Sequence, residues 1–427
     1  MPETHVWPIG RLGDHAYIKG RIGWRGLKSS EYTDDGPYLI AGNHLRAGRV
    51  DWTTCDHISM YRYDESLEIA LQEGDVILTK DGTIGRVAII DKLPGLATIN
   101  STMMLVRARL PLESRYVFHY LTGDAFQKVV QDKVSGSSIP HIFQRDMVEL
   151  PIPVPPECEQ RRIADILDAA DAAIQQTDAL IAKFKQIKAG LLHDLLTRGL
   201  DAHGRLRDPA AQPEEFVESP VERIPVRWKA TTIGALAVHV GSGATPKGGS
   251  EVYKLAGVLF IRSQNVTFDG LLLDDVAYID QTTHSRMLRS EIFAHDVLLN
   301  ITGASIGRCC PFPEGMGDAN VNQHVCAIRL PEPTREEAVY LSAVLASHIG
   351  QLQIDRLNAG GNRQGLNYEQ LKSFWIPWPE SEERDRIAAV LDAHDSRIRA
   401  EEAYRDKLVQ VKRGLMEDLL TGRVRVA

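Results

Sequence analysis

The sequence predicts an α+β protein in which two mixed α/β globular domains alternate with two long helices. A first observation is that RRIADILDAAD at 161–171 returns as DRIAAVLDAHD at 385–395. A second is that KAGLLHDLLTRG at 188–199 returns as KRGLMEDLLTGR at 412–423, with the same offset of 224 residues. Short β-branched runs bounded by turns, which are typical of strands, fill the intervening segments. The length of 427 residues also favours two or three domains.

The two repeated segments predict two long helices that pair with each other. Apolar residues follow each other in steps of three and four, as in a heptad seam. About 40 helical residues span about 60 Å at 1.5 Å per residue. Proline clusters at 151–156 and 376–379 predict the helix starts, and Gly199 and Gly422 the ends. The seam residues expected in pairing and partner docking are Ile163, Leu167, Ile174, Phe184, Leu191, Leu195, Ile387, Leu391, Ile398, Leu408, Leu415 and Leu419. The same register also includes Ile187, Tyr404 and Val411.

The globular segments repeat more loosely. GDVILTKDGTIGR at 74–86 aligns with HDVLLNITGASIGR at 295–308, and TINSTMMLVR at 98–107 aligns with NVNQHVCAIR at 320–329. These runs predict strands near 75–80, 86–90, 102–107, 296–301 and 324–330, and helical patterns follow them at 115–133 and 336–355. The expected boundaries are 1–156 for the first domain, 157–200 for the first long helix, 201–222 for a polar linker, 223–380 for the second domain and 381–427 for the second long helix with its tail.

Composition excludes several protein classes. No apolar run approaches the roughly 18–20 residues that cross a bilayer, and the first ten residues lack the features of a signal peptide. Five irregularly spaced cysteines indicate reduced thiols in a cytoplasm, and Cys309, Cys310 and Cys326 do not have the spacing of a zinc site. The net charge of −8 does not exclude a local basic face that binds nucleic acid.

Catalytic motifs are missing from the sequence. It has neither the glycine-rich loop nor the Asn- or Asp-Pro-Pro-aromatic motif of a SAM-dependent methyltransferase, and no HExxH. GSGATPKGG at 241–249 lacks the Gly-Lys-Ser/Thr ending of a phosphate loop, so we interpret it as a turn leading into a strand. Asp75 and Asp296, one per domain, are interpreted as turn or hydrogen-bonding residues. We therefore expect a non-catalytic chain without its own cofactor or metal.

One basic and aromatic stretch, YIKGRIGWRGLKSSEY at 17–32, is a candidate DNA-contacting loop. Cationic side chains neutralise phosphates, and arginine forms paired hydrogen bonds to guanine. The alternative is a solvated loop with a buried tryptophan. The candidate DNA-binding residues of the first domain are Lys19, Arg21, Trp24, Arg25, Lys28, Arg46, Lys80 and Arg86. Those of the second domain are Lys247, Arg262, Gln264, Asn265, Arg308 and Arg363.

The chain resembles the specificity (S) subunits of type I DNA restriction–modification systems over essentially its full length. The duplicated RIADILDAAD/RIAAVLDAHD and GLLHDLLTRG/GLMEDLLTGR motifs carry the resemblance, and the paired GDVILTKDGTIGR and HDVLLNITGASIGR segments with SGATP and IPVPP support it. The resemblance implies two target-recognition domains, each reading one half of a bipartite, asymmetric site in double-stranded DNA. It implies that the helices form an antiparallel coiled coil with pseudo-two-fold symmetry, which sets the spacer and docks two methylation (M) subunits. Restriction (R) subunits join that core, and SAM, ATP and magnesium belong to the partner subunits.

Two other functions are compatible with the sequence. A coiled-coil scaffold with protein-binding globular ends would suit the weak overall basicity, and salt-dependent binding to duplex DNA distinguishes it from a DNA reader. A nuclease or methylase with an unrecognised site would show activity in the purified chain alone.

Overall fold

The computed structural model describes residues 7–21, 27–135, 140–358 and 365–426. The chain divides into two compact units. The first unit comprises Met1–Asp178 with Ala403–Ala427, and the second comprises Ala179–Glu402. Each unit therefore combines one globular domain with one half of each long helix.

The first unit contains two main sheets. A four-stranded antiparallel sheet has the order Ala16–Gly20, Met103–Ala108, Val76–Thr79, Val87–Ile89. A three-stranded sheet has the order Asp56–Ile58, Tyr32–Ile40, Ala97–Ile99, and its last pair is parallel. Shorter antiparallel pairs join Ile9–Arg11 to Pro151–Pro153 and Leu45–Arg46 to Arg49–Val50. Strand Val76–Thr79 separates two cores, because alternate side chains point to opposite faces: Val76 and Leu78 join one core, and Ile77 joins the other.

The second unit repeats this arrangement. A four-stranded antiparallel sheet has the order His239–Ser242, Val325–Arg329, Val297–Asn300, Cys309–Pro311. A second sheet has the order Ala277–Ile279, Val258–Ile261, Ala319–Val321, Glu291–Ile292, and its central pair is parallel. Shorter antiparallel pairs join Lys229–Thr232 to Trp375–Trp378, Val266–Thr267 to Gly270–Leu271, and Phe216–Val217 to Ile224–Pro225. The five strands predicted from the aligned runs are thus confirmed, and the two copies occupy equivalent places in their sheets.

Shorter helices pack on these sheets. In the first unit they are Met60–Asp64, Ser114–Thr122, Asp124–Ser135 and Gln144–Val148. In the second unit they are Ile233–Leu236, Gln281–Arg286, Arg335–Ala346, His348–Asn358 and Tyr368–Lys372. The helical patterns predicted at 115–133 and 336–355 are confirmed, and each corresponds to two helices. Gly123 and Ser347 have extended backbone angles. In each domain one helix therefore ends before this residue and a second helix begins after it.

The long helices are Glu157–Thr197 and Ser381–Leu420. Gly199 and Gly422 follow their ends with φ of +65° and +75°, a conformation that side chains disfavour and glycine accepts. In the first unit Lys412 bonds to Asp171 at 2.5 Å, and Arg405 lies 3.8 Å from Asp178. Numbers rise along one helix as they fall along the other, so the paired halves run in opposite directions.

Ion pairs in the second unit follow the same order. Lys188 pairs with Asp395, and Lys185 bonds to Glu402 at 2.7 Å. Lys188–Asp395 and Lys412–Asp171 are equivalent, because their lysines and their aspartates are each separated by the 224-residue offset. The internal repeat is therefore present in side-chain contacts as well as in sequence.

Most of these seam residues are buried or half-buried, but the predicted register does not hold along the whole helix. The buried ones are Ile163, Leu167, Leu195, Ile387, Leu391, Ile398 and Leu419, and the half-buried ones are Ile174, Phe184, Leu191, Leu408 and Leu415. Ile187, Tyr404 and Val411 are exposed at 42%, 53% and 49%, so their placement in the seam was wrong. Ile181 is buried instead, because a helix of 3.6 residues per turn drifts from a seven-residue pattern.

Candidate nucleic-acid interface

Equivalent hairpins build a polar surface in each domain. In the first domain the loop 80–86 joins Val76–Thr79 to Val87–Ile89. In the second domain the loop 301–308 joins Val297–Asn300 to Cys309–Pro311. The neighbouring strand pairs with the first strand of each hairpin, which brings the turn before that strand beside the hairpin loop. Residues about 20 apart in sequence thus meet in one place in each domain.

The first polar cluster consists of Asn43, Lys80, Asp81, Arg86 and Thr102. All but Lys80 line an open cavity of about 300 Å³. Arg86 is exposed, and its guanidinium donates a long hydrogen bond of 3.4 Å to the Gly42 carbonyl. Asn43 is also exposed. The cluster therefore presents a cation and amide and hydroxyl groups on one open surface.

Asp81 forms hydrogen bonds with two neighbouring side chains at this cluster. Lys80 Nζ donates to its carboxylate at 2.7 Å, and the His141 ring bonds to the other carboxylate oxygen. Partial burial alone would raise the pKa of Asp81, but the hydrogen bonds from Lys80 and His141 outweigh it and lower the pKa below its ordinary value. Lys80 also lies beside Gly20, where an added Cβ would approach Lys80 Cε at 3.3 Å. Strand Ala16–Gly20, which leads into the basic stretch, therefore ends beside Lys80 of the cluster.

The second polar cluster has a hydrogen-bonded centre of Thr302, Gln323 and His324. Gln264 and Arg308 are assigned to it because they correspond to Asn43 and Arg86 of the first domain. Thr302 Oγ1 and His324 Nδ1 are hydrogen bonded, and Gln323 Nε2 lies 3.1 Å from His324 Nε2. Gln264 is exposed and donates to the Asp275 carboxylate at 2.6 Å. Arg308 is exposed and occupies the position of Arg86 at the end of the hairpin loop.

The segment GSGATPKGG lies beside the second cluster. It begins at the end of strand His239–Ser242, turns at 247–248 and precedes strand Val258–Ile261. The hydroxyl of Thr245 donates to Gln323 Oε1, and Lys247 is exposed. The first strand of the four-stranded sheet thus ends beside Lys80 in the first domain, and the segment after that strand reaches Gln323 in the second.

The remaining candidate residues are divided between surface and interior. Lys28 and Arg46 are exposed, Lys19 is half-buried, and Arg262 is half-buried with its guanidinium on Asp275. Arg21 and Asn265 are 3% and 1% exposed. Arg21 donates to the Arg62 carbonyl, and Asn265 donates to the Leu272 carbonyl and accepts from the Arg262 amide. Both side chains are used inside the fold. Trp24, Arg25 and Arg363 lie outside the described residues.

Among the uncharged members of both clusters, sequence reasoning found Gln264 but missed Asn43, Thr102, Thr302, Gln323 and His324. A search that starts from cationic residues finds few hydroxyl and amide groups. The alignment of TINSTMMLVR with NVNQHVCAIR was the available signal, because it places Thr102 opposite His324 at the start of equivalent strands.

Other polar and sulfur-containing residues serve the fold. Asp75 and Asp296 each accept two hydrogen bonds from an arginine, Arg107 or Arg329, at 2.7–2.8 Å, which supports their interpretation as hydrogen-bonding residues. Cys309 and Cys310 lie in different cores, and burial raises the pKa of both to about 12. Burial likewise raises the pKa of Cys326 to about 12. These thiols are neutral core residues. Of the described helices, none is both long and apolar enough to cross a membrane.

Comparison with known proteins identifies the family. The model of the type I restriction modification DNA specificity domain matches residues 9–186 and 288–410, more than half of the chain. The chain belongs to this family. It is a specificity subunit of a type I restriction–modification system, as the duplicated helix motifs indicated. Such subunits are not catalytic, and catalysis lies in the partner M and R subunits.

Similar proteins agree in extent as well as in family. The type I restriction enzyme MjaVIII specificity subunit of Methanocaldococcus jannaschii is 23% identical over 435 residues, which cover 100% of this chain and 94% of that one. The EcoBI specificity subunit of Escherichia coli is 25% identical over 282 residues, covering 64% and 57%. The crystal structure of the S subunit from M. genitalium has a TM-score of 0.58 at 15% identity and covers 98% of both chains. The mixed α/β fold is thereby confirmed.

Proposed function

We propose that each globular domain reads one half of a bipartite, asymmetric DNA site. The observation that carries this proposal is that both domains build a polar cluster at the same hairpin of the same sheet, with different side chains around one shared arginine position. Arg86 and Arg308 suit guanine, whose O6 and N7 accept paired hydrogen bonds, and Asn43 and Gln264 suit adenine. Different neighbours around a common arginine favour two half-sites of different sequence.

Phosphate contacts would come from the loops around each cluster. Lys28, Arg46 and Lys247 are exposed cations, and the basic stretch at 19–28 starts beside Lys80. Such contacts orient a protein on duplex DNA without reading its sequence. Lys19, Trp24, Arg25 and Arg363 remain proposals of the same kind.

We also propose that the long helices form an antiparallel, pseudo-two-fold coiled coil, which docks two M subunits and sets the spacer between half-sites. The opposite direction of the paired halves within each unit and the equivalent Lys188–Asp395 and Lys412–Asp171 pairs support it. The exposed apolar residues Ile187, Tyr404 and Val411 are suited to a partner surface. SAM, ATP and magnesium would act in the M and R subunits. The whole assembly would work in the cytoplasm, where it meets DNA.

A base-resolution methylation map tests the proposal. The chain would be expressed with its M subunit in cells that lack other DNA methyltransferases, and methylated positions would be mapped. We expect a split, asymmetric motif with a fixed gap. An M subunit expressed without this chain is the control and should leave that motif unmodified. A continuous motif written by an intact complex would contradict the two-reader proposal.

A further inference from the structure

The second unit contains an open pocket of about 490 Å³ that takes no part in the polar clusters. Its walls are one face of helix Arg335–Ala346, the hairpin turn at 268–270, the strand end at 310–314, and segments of both long helices around Leu192 and Leu391. A volume of this size falls in the range of about 300–1,000 Å³ that small-molecule sites occupy. Most of its surface is apolar, with charged side chains around it.

The pocket exists because one helix face carries small residues in the second domain and large ones in the first. Tyr116 and Tyr340 show which helix positions of the two domains are equivalent. The hydroxyl of Tyr116 donates to the Pro153 carbonyl, and that of Tyr340 donates to the Pro377 carbonyl. The two tyrosines and the two prolines are each 224 residues apart. At that offset, Arg115, Phe118, His119 and Thr122 correspond to Val339, Ser342, Ala343 and Ala346. The spacing i, i+3, i+4, i+7 puts all four on one face, and all four residues of the second domain line the pocket.

The first domain fills the equivalent space with its own side chains. The Phe118 ring packs under the hairpin turn, where an added Cβ on Gly48 would approach the ring at 2.7 Å. The Arg49 guanidinium lies over the same ring, 5.4 Å from its centre. Arg115 and His119 bond to Asp168 at 3.0 and 2.8 Å. In the first domain, this part of the fold therefore holds an aromatic ring with polar side chains beside it.

His295 is a second, independent observation at the pocket. It lines the pocket with φ of +70°, a region in which L side chains are strained. The first domain has Gly74 at this turn, with φ of +88°, and the two amides make equivalent hydrogen bonds to the carbonyls of Ile90 and Phe312. The turn therefore favours glycine in both domains. The second domain nevertheless has histidine at this turn, which places an imidazole beside an apolar pocket.

We propose that this pocket binds a small molecule with a planar, apolar ring and one hydrogen-bonding group. The ring occupies the space that corresponds to Phe118, and the polar group bonds to the imidazole of His295. Binding is independent of DNA reading, since the pocket shares no residue with the second polar cluster.

Calorimetric titration of the full chain with benzene and with phenol tests this proposal. Both probes should bind at one site per chain, phenol more tightly. Ser342→Phe restores the first domain's ring and should weaken both probes by at least about tenfold. His295→Gly should weaken phenol alone, by up to about tenfold for one lost hydrogen bond, and leave benzene unchanged.

One further variant serves as a control, and another replaces Ser342→Phe if that variant does not fold. Ser285→Phe adds the same ring on an exposed face of helix Gln281–Arg286 and should bind both probes like the wild type. If Ser342→Phe does not fold, Ala343→His, the residue of the first domain, takes its place with the same expected loss. The proposal is overturned if neither probe binds the wild-type chain, or if a folded pocket-filling variant binds both probes unchanged.

Discussion

The two copies of the repeat share some residues and differ at others. Asp75 and Asp296 are almost fully buried, and each holds an arginine of the adjacent strand through two short hydrogen bonds. A carboxylate inside a protein is stable only when it is paired in this way, so both copies retain the pair. Positions on the open surface have no such constraint, and around the shared Arg86 and Arg308 the copies differ.

Asp75→Asn should destabilise the first unit by about 3 kcal/mol, because it leaves Arg107 without its counter-charge in a low-dielectric setting. Asp296→Asn should have a similar effect on the second unit through Arg329. Urea unfolding of the full chain measures both. Asp64→Asn, at an exposed position, is the control and should change the free energy of unfolding by less than about 0.5 kcal/mol. A similarly small change at Asp75 would show that the ion pair does not support the fold.

Arg86→Ala and Arg308→Ala form a matched pair that tests the two polar clusters. Each should relax the sequence requirement at one half-site, at a cost of about 1–3 kcal/mol if the arginine reads a base edge. The other half-site should remain as in the wild type. Base-resolution methylation maps of the two variants measure this. Equal loss at both half-sites would indicate general electrostatics or misfolding rather than separate readers.

Among the secondary-structure elements, the long helices are anchored at their starts by buried glutamates. Glu159 accepts hydrogen bonds from Arg425 at 2.7 and 2.8 Å and from the Trp7 indole at 3.2 Å. Its equivalent, Glu383, accepts from Arg207 at 2.6 and 3.0 Å. In each unit, the segment that follows one long helix is thereby fastened to the start of the other. A repeated helix start thus holds an arginine whose position in the sequence is not repeated.

Glu159 should make the stability of the first unit depend on pH. The hydrogen bonds from Arg425 lower the pKa of Glu159, against the opposing effect of burial. A carboxyl whose pKa is lower in the folded chain stabilises it fully above the unfolded value of about 4.3 and loses that contribution as pH falls through the folded value. Glu159→Gln should therefore reduce stability at pH 7 by about 1–3 kcal/mol and have little effect well below pH 4.

Urea unfolding at both pH values, with hydrogen exchange of residues 423–426, measures this effect. Arg425→Ala is the matched variant and should give the same loss at pH 7. A Glu159→Gln variant that differs from the wild type equally at both pH values would mean that the charge of Glu159 is not responsible.

The helices and strands were predictable because their signals are local. The repeated seam gave the long helices to within a few residues, and the β-branched runs gave five strands. The helical patterns at 115–133 and 336–355 do not locate the breaks at Gly123 and Ser347, because one extended residue barely alters an apolar pattern. Thr102 and His324 were missed for a different reason: strand pairing brings them to the hairpin loops, and pairing over such distances leaves no local signal. Arg21 and Asn265 show the converse, because residue type alone does not reveal burial.

For the whole molecule, the question is how a chain of net charge −8 would bind a polyanion. The proposed answer is local: exposed cations such as Arg86, Arg308 and Lys247 supply positive charge where DNA is read, although the chain as a whole is acidic. Binding should then release counterions from DNA, so that affinity falls with salt concentration in proportion to the number of phosphates contacted.

Lys28→Ala and Lys247→Ala should each reduce the slope of log affinity against log salt by about 0.9, because one phosphate contact is lost, and should leave the methylated motif unchanged. Titration of duplex DNA with the assembled complex at several salt concentrations measures the slope. Lys229→Ala, at an exposed strand position away from both clusters in sequence, is the control and should keep it. If the wild-type complex showed almost no slope, phosphate contacts could not supply its affinity. The globular domains would then fit a protein-binding scaffold better than a pair of DNA readers.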